Sequence, residues 1–434
     1  MSSHYKIDPG GKMTGAIHVP GDKSISHRAI MLGALADGVT EIDGFLNGED
    51  CIATINAFRS LGVTIKGPDD RSHVTVHGVG LYGLKHSPTI LDLGNSGTSM
   101  RLLSGILAAQ PFASVLTGDE SLLQRPMQRV TQPLIGMGAK IETTKEGTAP
   151  LRIGAVSGLN AIHFEMPIAS AQVKSCLLLA GLYANGTTCV TEPAITRDHT
   201  GRMLETFACP VRREGNTACI EGRHRLKACS LQIPADISSA AFFMVGASIA
   251  PGSDLVIEGV GMNPTRTGVI DILRLMGADI MLTNQRDYGA EPVADIRVRH
   301  APLHGIDIPP ALVPLAIDEF PAVFVAAACA EGETVLAGAH ELRVKESDRI
   351  QVMADGLTRL GINAEPTDDG LRIQSGRFRG GEVNSHGDHR IAMAFSVAAL
   401  RATAAITVTD CANVATSFPG FAKTARKAGL LIQG

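Results

Sequence analysis

Apolar and polar positions along the chain fall into two phrases that recur in alternation. The first runs from an amphipathic stretch through Leu or Met and Gly into alternating apolar residues. It occurs six times, at Phe58–Ile65, Leu134–Ile141, Leu204–Val211, Leu273–Ile280, Leu357–Ala364 and Ala425–Ile432. A Gly at that place fits the left-handed residue that closes a helix C-terminus, and the alternation after it predicts a half-buried strand. In the third copy Cys209 breaks the pattern by one residue.

The second phrase is a polar turn, a helix of small apolar residues, a Gly or Asn break and a β-branched strand. It also occurs six times, with helices opening near Ser24, Gly97, Ser170, Ser238, Asp318 and Asp388. The strands after these helices include VTEIDGF, ASVLTGD, TTCVTEP, DLVIEGV, ETVLAGA and AITVTDC. Each unit therefore reads helix, strand, amphipathic helix, strand over about seventy residues, which suggests three units per domain. The all-apolar helices must be covered on every side, whereas the amphipathic ones keep a wet face.

Length supports the same division, since 434 residues exceed what a single core usually organises. The net charge is −4 and the 39 basic residues are scattered, so nucleic acid is not an expected partner. Eight cysteines stand at least ten residues apart, giving neither a CxxC pair nor a zinc-ligand spacing, and reduced thiols in a cytoplasmic protein are the expectation. No apolar stretch reaches the roughly 18 residues of a membrane helix, and the N-terminus lacks the apolar core of a signal peptide. Ala240–Ala250 and Pro321–Ala330 are too short to span a bilayer and are predicted to be buried helices.

Candidate chemistry sits where the apolar helices begin: Lys23-Ser24, Asn95-Ser96-Gly97-Thr98, Ser170-Ala171-Gln172, Asp318-Glu319 and Asp388-His389-Arg390. Helix N-termini carry unsatisfied N–H donors and the positive end of the macrodipole, so several of them converging would trap a small, strongly negative ligand. Arg and Lys at these places strengthen that reading, because a guanidinium grips carboxylate or phosphate in a bidentate fork. The plainer alternatives are a repeat scaffold without chemistry, Ser170, Asp318 and Asp388 as simple N-caps, and Lys345-Glu346 with Asp348-Arg349 as a solvated helix surface. His389 reads as a satisfied supporting group.

Gly21–Arg28 (GDKSISHR) and Gly94–Arg101 (GNSGTSMR) resemble signature segments of the 5-enolpyruvylshikimate-3-phosphate synthase family. Gln124–Met127, Ser170–Lys174, Asp318–Pro321, Arg343–Arg349, Gly387–Arg390 and Ser417–Pro419 continue the resemblance in family order over nearly the whole chain. It implies an α/β fold of two domains, each a threefold pseudo-symmetric βαβαββ repeat, an inverse α/β barrel. Residues 1–20 would join 235–434, and 21–234 would form the other domain, with crossings near Pro20 and Pro234 as hinges.

The resemblance implies transfer of the enolpyruvyl group of phosphoenolpyruvate to the 5-hydroxyl of shikimate 3-phosphate, without cofactor or metal. A monomer is expected. Lys23, Ser24 and Arg28 would hold shikimate 3-phosphate, joined by Ser170, Ala171, Gln172 and Arg197 at its phosphate and by Asp318 and Lys345. Phosphoenolpyruvate would meet Lys23, Asn95, Gly97, Arg125 and Gln172 at its phosphate, and Arg349 and Arg390 at its carboxylate. Asp318 would take the hydroxyl proton, and Glu346, with Lys23, would protonate carbon.

The sequence also departs from the family. Thr416-Ser417 stands where many members carry Lys-Thr, which removes one cation from the phosphoenolpyruvate site. GDKSISHR, SAQVK and TRDH resemble the second, often glyphosate-tolerant subfamily, yet Gly201 replaces its usual Glu and Gly97 lacks the methyl of tolerant members. Glyphosate would lie beside Gly97. The nearest alternative, a UDP-N-acetylglucosamine enolpyruvyl transferase, uses a cysteine in the loop that matches Thr117–Pro126, which here contains none. A non-catalytic, anion-binding repeat protein is the alternative of a different class.

Overall fold

The computed structural model describes residues 4–434. These form two compact units, one of Gly21–Ile233 with Tyr288–Glu291, the other of the chain up to Pro20 with Pro234–Asp287 and Pro292–Gly434. Pro234 and Tyr288–Glu291 thus stand in the opposite unit to the one expected from the sequence.

The helices of the first unit are α1 (Lys23–Leu35), α2 (Glu49–Ser60), α3 (Gly97–Leu107), a short α4 (Glu120–Leu123), α5 (Gln128–Gly136), α6 (Ala171–Gly181) and α7 (His199–Thr206). Every residue of α1 from Ile25 to Leu35 is buried, as is α6 from Val173 onward: most of these side chains are small or apolar, and the buried Arg28 and Lys174 find protein partners in place of water. By contrast α2 buries Cys51, Thr54, Ile55 and Phe58, the three-and-four spacing of a single stripe.

Three sheets of one pattern surround α1, α3 and α6. The strand after each buried helix, Ala36–Asp43, Ser114–Thr117 or Thr187–Thr191, is flanked on one side by an antiparallel neighbour. Its other neighbour is parallel. Leu91–Asp92 and His163–Glu165 fill that place by entering α3 and α6, the crossover that parallel pairing demands. For Ala36–Asp43 the parallel partners are Leu226–Lys227 and Ser230–Gln232 at the end of the unit, which closes the cycle of three.

The second unit repeats the scheme with α8 (Ile237–Ile249), α9 (Gly268–Leu275), α10 (Phe320–Cys329), α11 (Arg349–Arg359), α12 (His389–Ala398) and α13 (Phe421–Ala428). Here α8, α10 and α12 pack on one another at the centre of the core. The chain's first strands complete the unit: Tyr5–Gly11 lies between Ile406–Thr409 and Leu430–Gln433, and Thr14–Ile17 pairs parallel with Asp254–Gly261.

Five of the six buried helices carry a side-chain N-cap: Asp22, Ser96, Ser170, Asp236 and Asp388 accept from backbone N–H groups in the first turns of their helices. Each such cap stabilises a helix by about 1 kcal/mol. The exception is α10, where Glu319 stands at the cap position without such a bond and Pro321 enters the first turn. Asp318 is therefore not a cap.

Gly62, Gly138, Gly277, Gly361 and Gly429 close five amphipathic helices at positive φ. In the third copy Ala208 takes the glycine's place at φ 63°, so the break in the repeat is this alanine and not Cys209. The cysteines also correct an expectation. Cys189 and Cys219 oppose each other directly in the antiparallel pair Thr187–Thr191 and Thr217–Glu221, with Cα atoms 4.1 Å apart, and are joined as a disulfide. Thirty residues of sequence separation concealed a contact that strand register creates. Among the described residues no helix is long and apolar enough to cross a membrane.

Candidate active site

In the first unit the predicted residues gather at the N-termini of α1, α3 and α6. Lys23 opens α1 and reaches back to Asp50 at 3.1 Å. One turn on, Arg28 is buried and donates to three neutral oxygens: Thr200 Oγ1 at 2.6 Å, Ser175 Oγ at 2.8 Å and the Ser24 carbonyl at 2.8 Å. A hydroxyl network fixes the same region, with His27 Nδ1 2.8 Å from Thr54 Oγ1 and Ser96 Oγ 2.7 Å from Ser99 Oγ. Burial, with Lys23 and Arg28 adding to it, holds the His27 imidazole well below its usual pKa, so this ring is neutral.

Gly97 lies between two guanidinium groups. A Cβ there would stand 3.2 Å from Nη1 of both Arg101 and Arg125. Arg125 donates to the Asn95 carbonyl at 3.1 Å and to Asn95 Oδ1 at 2.7 Å, while Asn95 Nδ2 donates to Asp119 at 2.7 Å. Arg101 donates to Gln172 Oε1 at 2.5 Å, and Gln172 Nε2 donates to Thr98 Oγ1 at 3.1 Å. The first turns of α3 and α6, carrying Gly97 and Ala171-Gln172, are thereby bonded together. Ser170 caps α6, and Arg197 lies half-buried just ahead of α7.

The second unit holds a different constellation, built on one fully buried cation. Arg349 donates through Nε to Asp388 at 2.8 Å, through Nη1 to Asp318 at 3.2 Å and through Nη2 to Glu346 at 2.6 Å. Lys345 adds a second cation 3.2 Å from Asp318. Burial opposes the charge on Arg349, but Asp388, Glu346 and Asp318 outweigh it and raise its pKa above the usual value. Lys345, Glu346 and Arg349 are thus no solvated helix surface. Arg390 meets this hub through its backbone N–H, which donates to Asp388 Oδ1 at 2.9 Å, while its Nη1 lies 4.0 Å from the buried Glu319, which Ser238 and Arg266 also engage.

Several of these partners carry no role in the sequence reading. Arg101 was legible in principle, since it stands four residues beyond Gly97 and so on the same helical face. Asp388 sits inside the quoted GDHR segment, where capping alone explained it. Asp50 and Arg266 left no signal, because nothing local ties them to Lys23 or Ser238. A Cβ at Gly201 would meet Arg213 Nη2 at 2.7 Å, the movable end of a partly exposed side chain.

The fold is that of the enolpyruvyl transferase NikO from Streptomyces tendae, whose solved structure matches with a TM-score of 0.81 at 17% identity, over 99% of this chain and 98% of that one. Closer likenesses narrow the class. The EPSP synthase (3-phosphoshikimate 1-carboxyvinyltransferase) family model matches residues 7–424. The 3-phosphoshikimate 1-carboxyvinyltransferase of Methylococcus capsulatus is 66% identical over 99% of this chain and 98% of its own. The structure of EPSP synthase from Acinetobacter baumannii has a TM-score of 0.89 at 56% identity, covering 100% of this chain and 99% of that one. The chain belongs to the EPSP synthase family.

Proposed function

We propose that the chain transfers the enolpyruvyl group of phosphoenolpyruvate to the 5-hydroxyl of shikimate 3-phosphate and releases phosphate, acting as a cytoplasmic monomer. The observation that carries this reading is the Arg349 hub, where a candidate base and a candidate proton carrier, Asp318 and Glu346, accept from one buried guanidinium. A reaction that removes a hydroxyl proton and adds one to carbon requires two such groups at set positions.

Each proposed role rests on what the side chain can donate or accept. Arg28 offers a guanidinium to the shikimate carboxylate, with Lys23 and Ser24 beside it. Ser170, Ala171, Gln172 and Arg197 supply hydroxyl, amide and guanidinium donors to the phosphate of the same substrate. Asn95, Gly97, Arg125, Gln172 and Lys23 face the phosphate of phosphoenolpyruvate, and Arg349 and Arg390 its carboxylate. Asp318, its carboxylate held by Arg349, serves as the base that takes the 5-hydroxyl proton as its oxygen attacks carbon 2. Glu346, held by Nη2 of Arg349, shares with Lys23 the delivery of the proton to the methylene carbon. Lys345 steadies Asp318 and lies ready for shikimate 3-phosphate. Return of a proton from the new methyl group to its carrier, with loss of phosphate from carbon 2, then restores the double bond.

Replacing Asp318 by Asn, or Glu346 by Gln, is expected to lower kcat roughly 10²- to 10⁴-fold while shikimate 3-phosphate still binds by calorimetry. Near-normal turnover in both variants would return the two carboxylates to the role of structural partners of Arg349.

A further inference from the structure

Helix α6 carries Lys174 one turn beyond Ser170, and its ammonium does not reach water. Lys174 and Glu192 are each 5% exposed and Thr196 is 6% exposed. The Lys174 ammonium is bonded to Glu192 Oε1 and donates to the Thr196 carbonyl at 3.1 Å. The other carboxylate oxygen, Glu192 Oε2, accepts from the Thr196 hydroxyl. Both oxygens of Glu192 are thus used, and residue 196 is gripped through its backbone and its side chain.

The gripped residue is the immediate neighbour of Arg197. Residues 192–198 run from the strand Thr187–Thr191 to α7 without helix or strand, so side chains must set their course. A buried ion pair seldom adds net stability over an apolar pair of equal volume, and burial here pulls the Lys174 ammonium below its usual pKa despite Glu192. Such a pair is better suited to fixing geometry than to holding the fold.

We infer that Lys174 and Glu192 are positioning residues for shikimate 3-phosphate: they clamp the backbone at Thr196 and so hold Arg197 at a fixed place relative to the N-terminus of α6. This rests on the proposed role of Arg197 as a ligand of that substrate. The two proposed phosphate-binding groups, the α6 N-terminus with Ser170 and Gln172 and the irregular segment with Arg197, are joined by this ion pair. The Lys174 side chain ties the one to the other.

The test is a double-mutant cycle on the full chain, read by steady-state kinetics and by calorimetric binding of shikimate 3-phosphate. Lys174→Met/Glu192→Gln is expected to raise KM and Kd for shikimate 3-phosphate about 10- to 100-fold, leaving kcat and the phosphoenolpyruvate KM within about threefold. In an Arg197→Ala background the same pair of changes is expected to add less than about threefold, since residues acting through one another are not additive. Equal loss in both backgrounds, or a parallel rise in both KM values, overturns the clamp. Thr196→Val removes one hydroxyl and keeps the ion pair; it is expected to weaken shikimate 3-phosphate binding about 3- to 10-fold. Should the double variant fail to fold, unchanged binding in Thr196→Val overturns the clamp. A parent chain that does not bind shikimate 3-phosphate overturns the functional reading and the clamp together, whereas a parent and a folded variant that bind equally overturn the clamp alone.

Discussion

His27 shows how a single side chain couples the site to solution pH. Its ring is fully buried among Thr54, Ser96 and Ser99, and burial, then Lys23 and Arg28, lower its pKa well below that of the unfolded chain. Below about pH 6.5 the unfolded chain binds a proton that the folded one refuses, so stability is full at higher pH and is lost as pH falls. His27→Gln removes that linkage. The stability gap between parent and variant, from urea midpoints, is expected to narrow by about 1.4 kcal/mol between pH 7.5 and 5.5. A gap that stays constant would mean that His27 is not buried in its neutral form.

Gly97 poses a steric question at the same scale. The two guanidinium nitrogens 3.2 Å from a built Cβ are themselves tethered, Arg125 to Asn95 and Arg101 to Gln172, so a methyl must push against fixed neighbours. An overpacking cost of about 1–3 kcal/mol, falling mainly on glyphosate as the longer ligand, is expected to weaken its inhibition on the order of 10- to 100-fold in Gly97→Ala. The phosphoenolpyruvate KM is expected to rise less. Inhibition constants that move by the same factor as KM would contradict this.

At the scale of elements, helix ends decide what the repeats can carry. Five amphipathic helices close on a glycine at positive φ, and α7 alone closes on Ala208. A left-handed alanine costs about 1–2 kcal/mol, partly offset by the greater freedom that glycine loses on folding. Ala208→Gly is therefore expected to raise stability by about 0.5–1 kcal/mol, visible as a rise of about 1–4 °C in calorimetric Tm. A lower Tm would show that the alanine methyl makes contacts worth more than the strain. The helix starts divide similarly: Ser170 and Asp388 are caps as well as candidate site residues, whereas α10 begins without a side-chain cap and leaves Asp318 to Lys345 and Arg349.

For the molecule as a whole, the repeating phrases made the six buried and six amphipathic helices legible, because burial on all sides and burial on one stripe leave different spacings. Their order in the sheets was not legible from pattern. That Tyr5–Gly11 inserts between Ile406–Thr409 and Leu430–Gln433 depends on pairing across nearly the full chain, which no local signal records. The same limit hid the Cys189–Cys219 disulfide and the Lys174–Glu192 pair, each a product of register or packing between elements. Residues at helix starts were legible as candidate chemistry, Glu319 among them; the partners Asp50 and Arg266 were not, since they lie 27 and 28 residues from the Lys23 and Ser238 they engage.

The measurement that bears most directly on the central claim is phosphate release, coupled to a colour-forming enzyme, from the unmodified chain with phosphoenolpyruvate and each of two acceptors. Release is expected with shikimate 3-phosphate and not with UDP-N-acetylglucosamine, since the loop Thr117–Pro126 holds no cysteine and the donors at α6 and Arg197 suit a small phosphate. Equal release with the nucleotide sugar, or none with shikimate 3-phosphate, would contradict it.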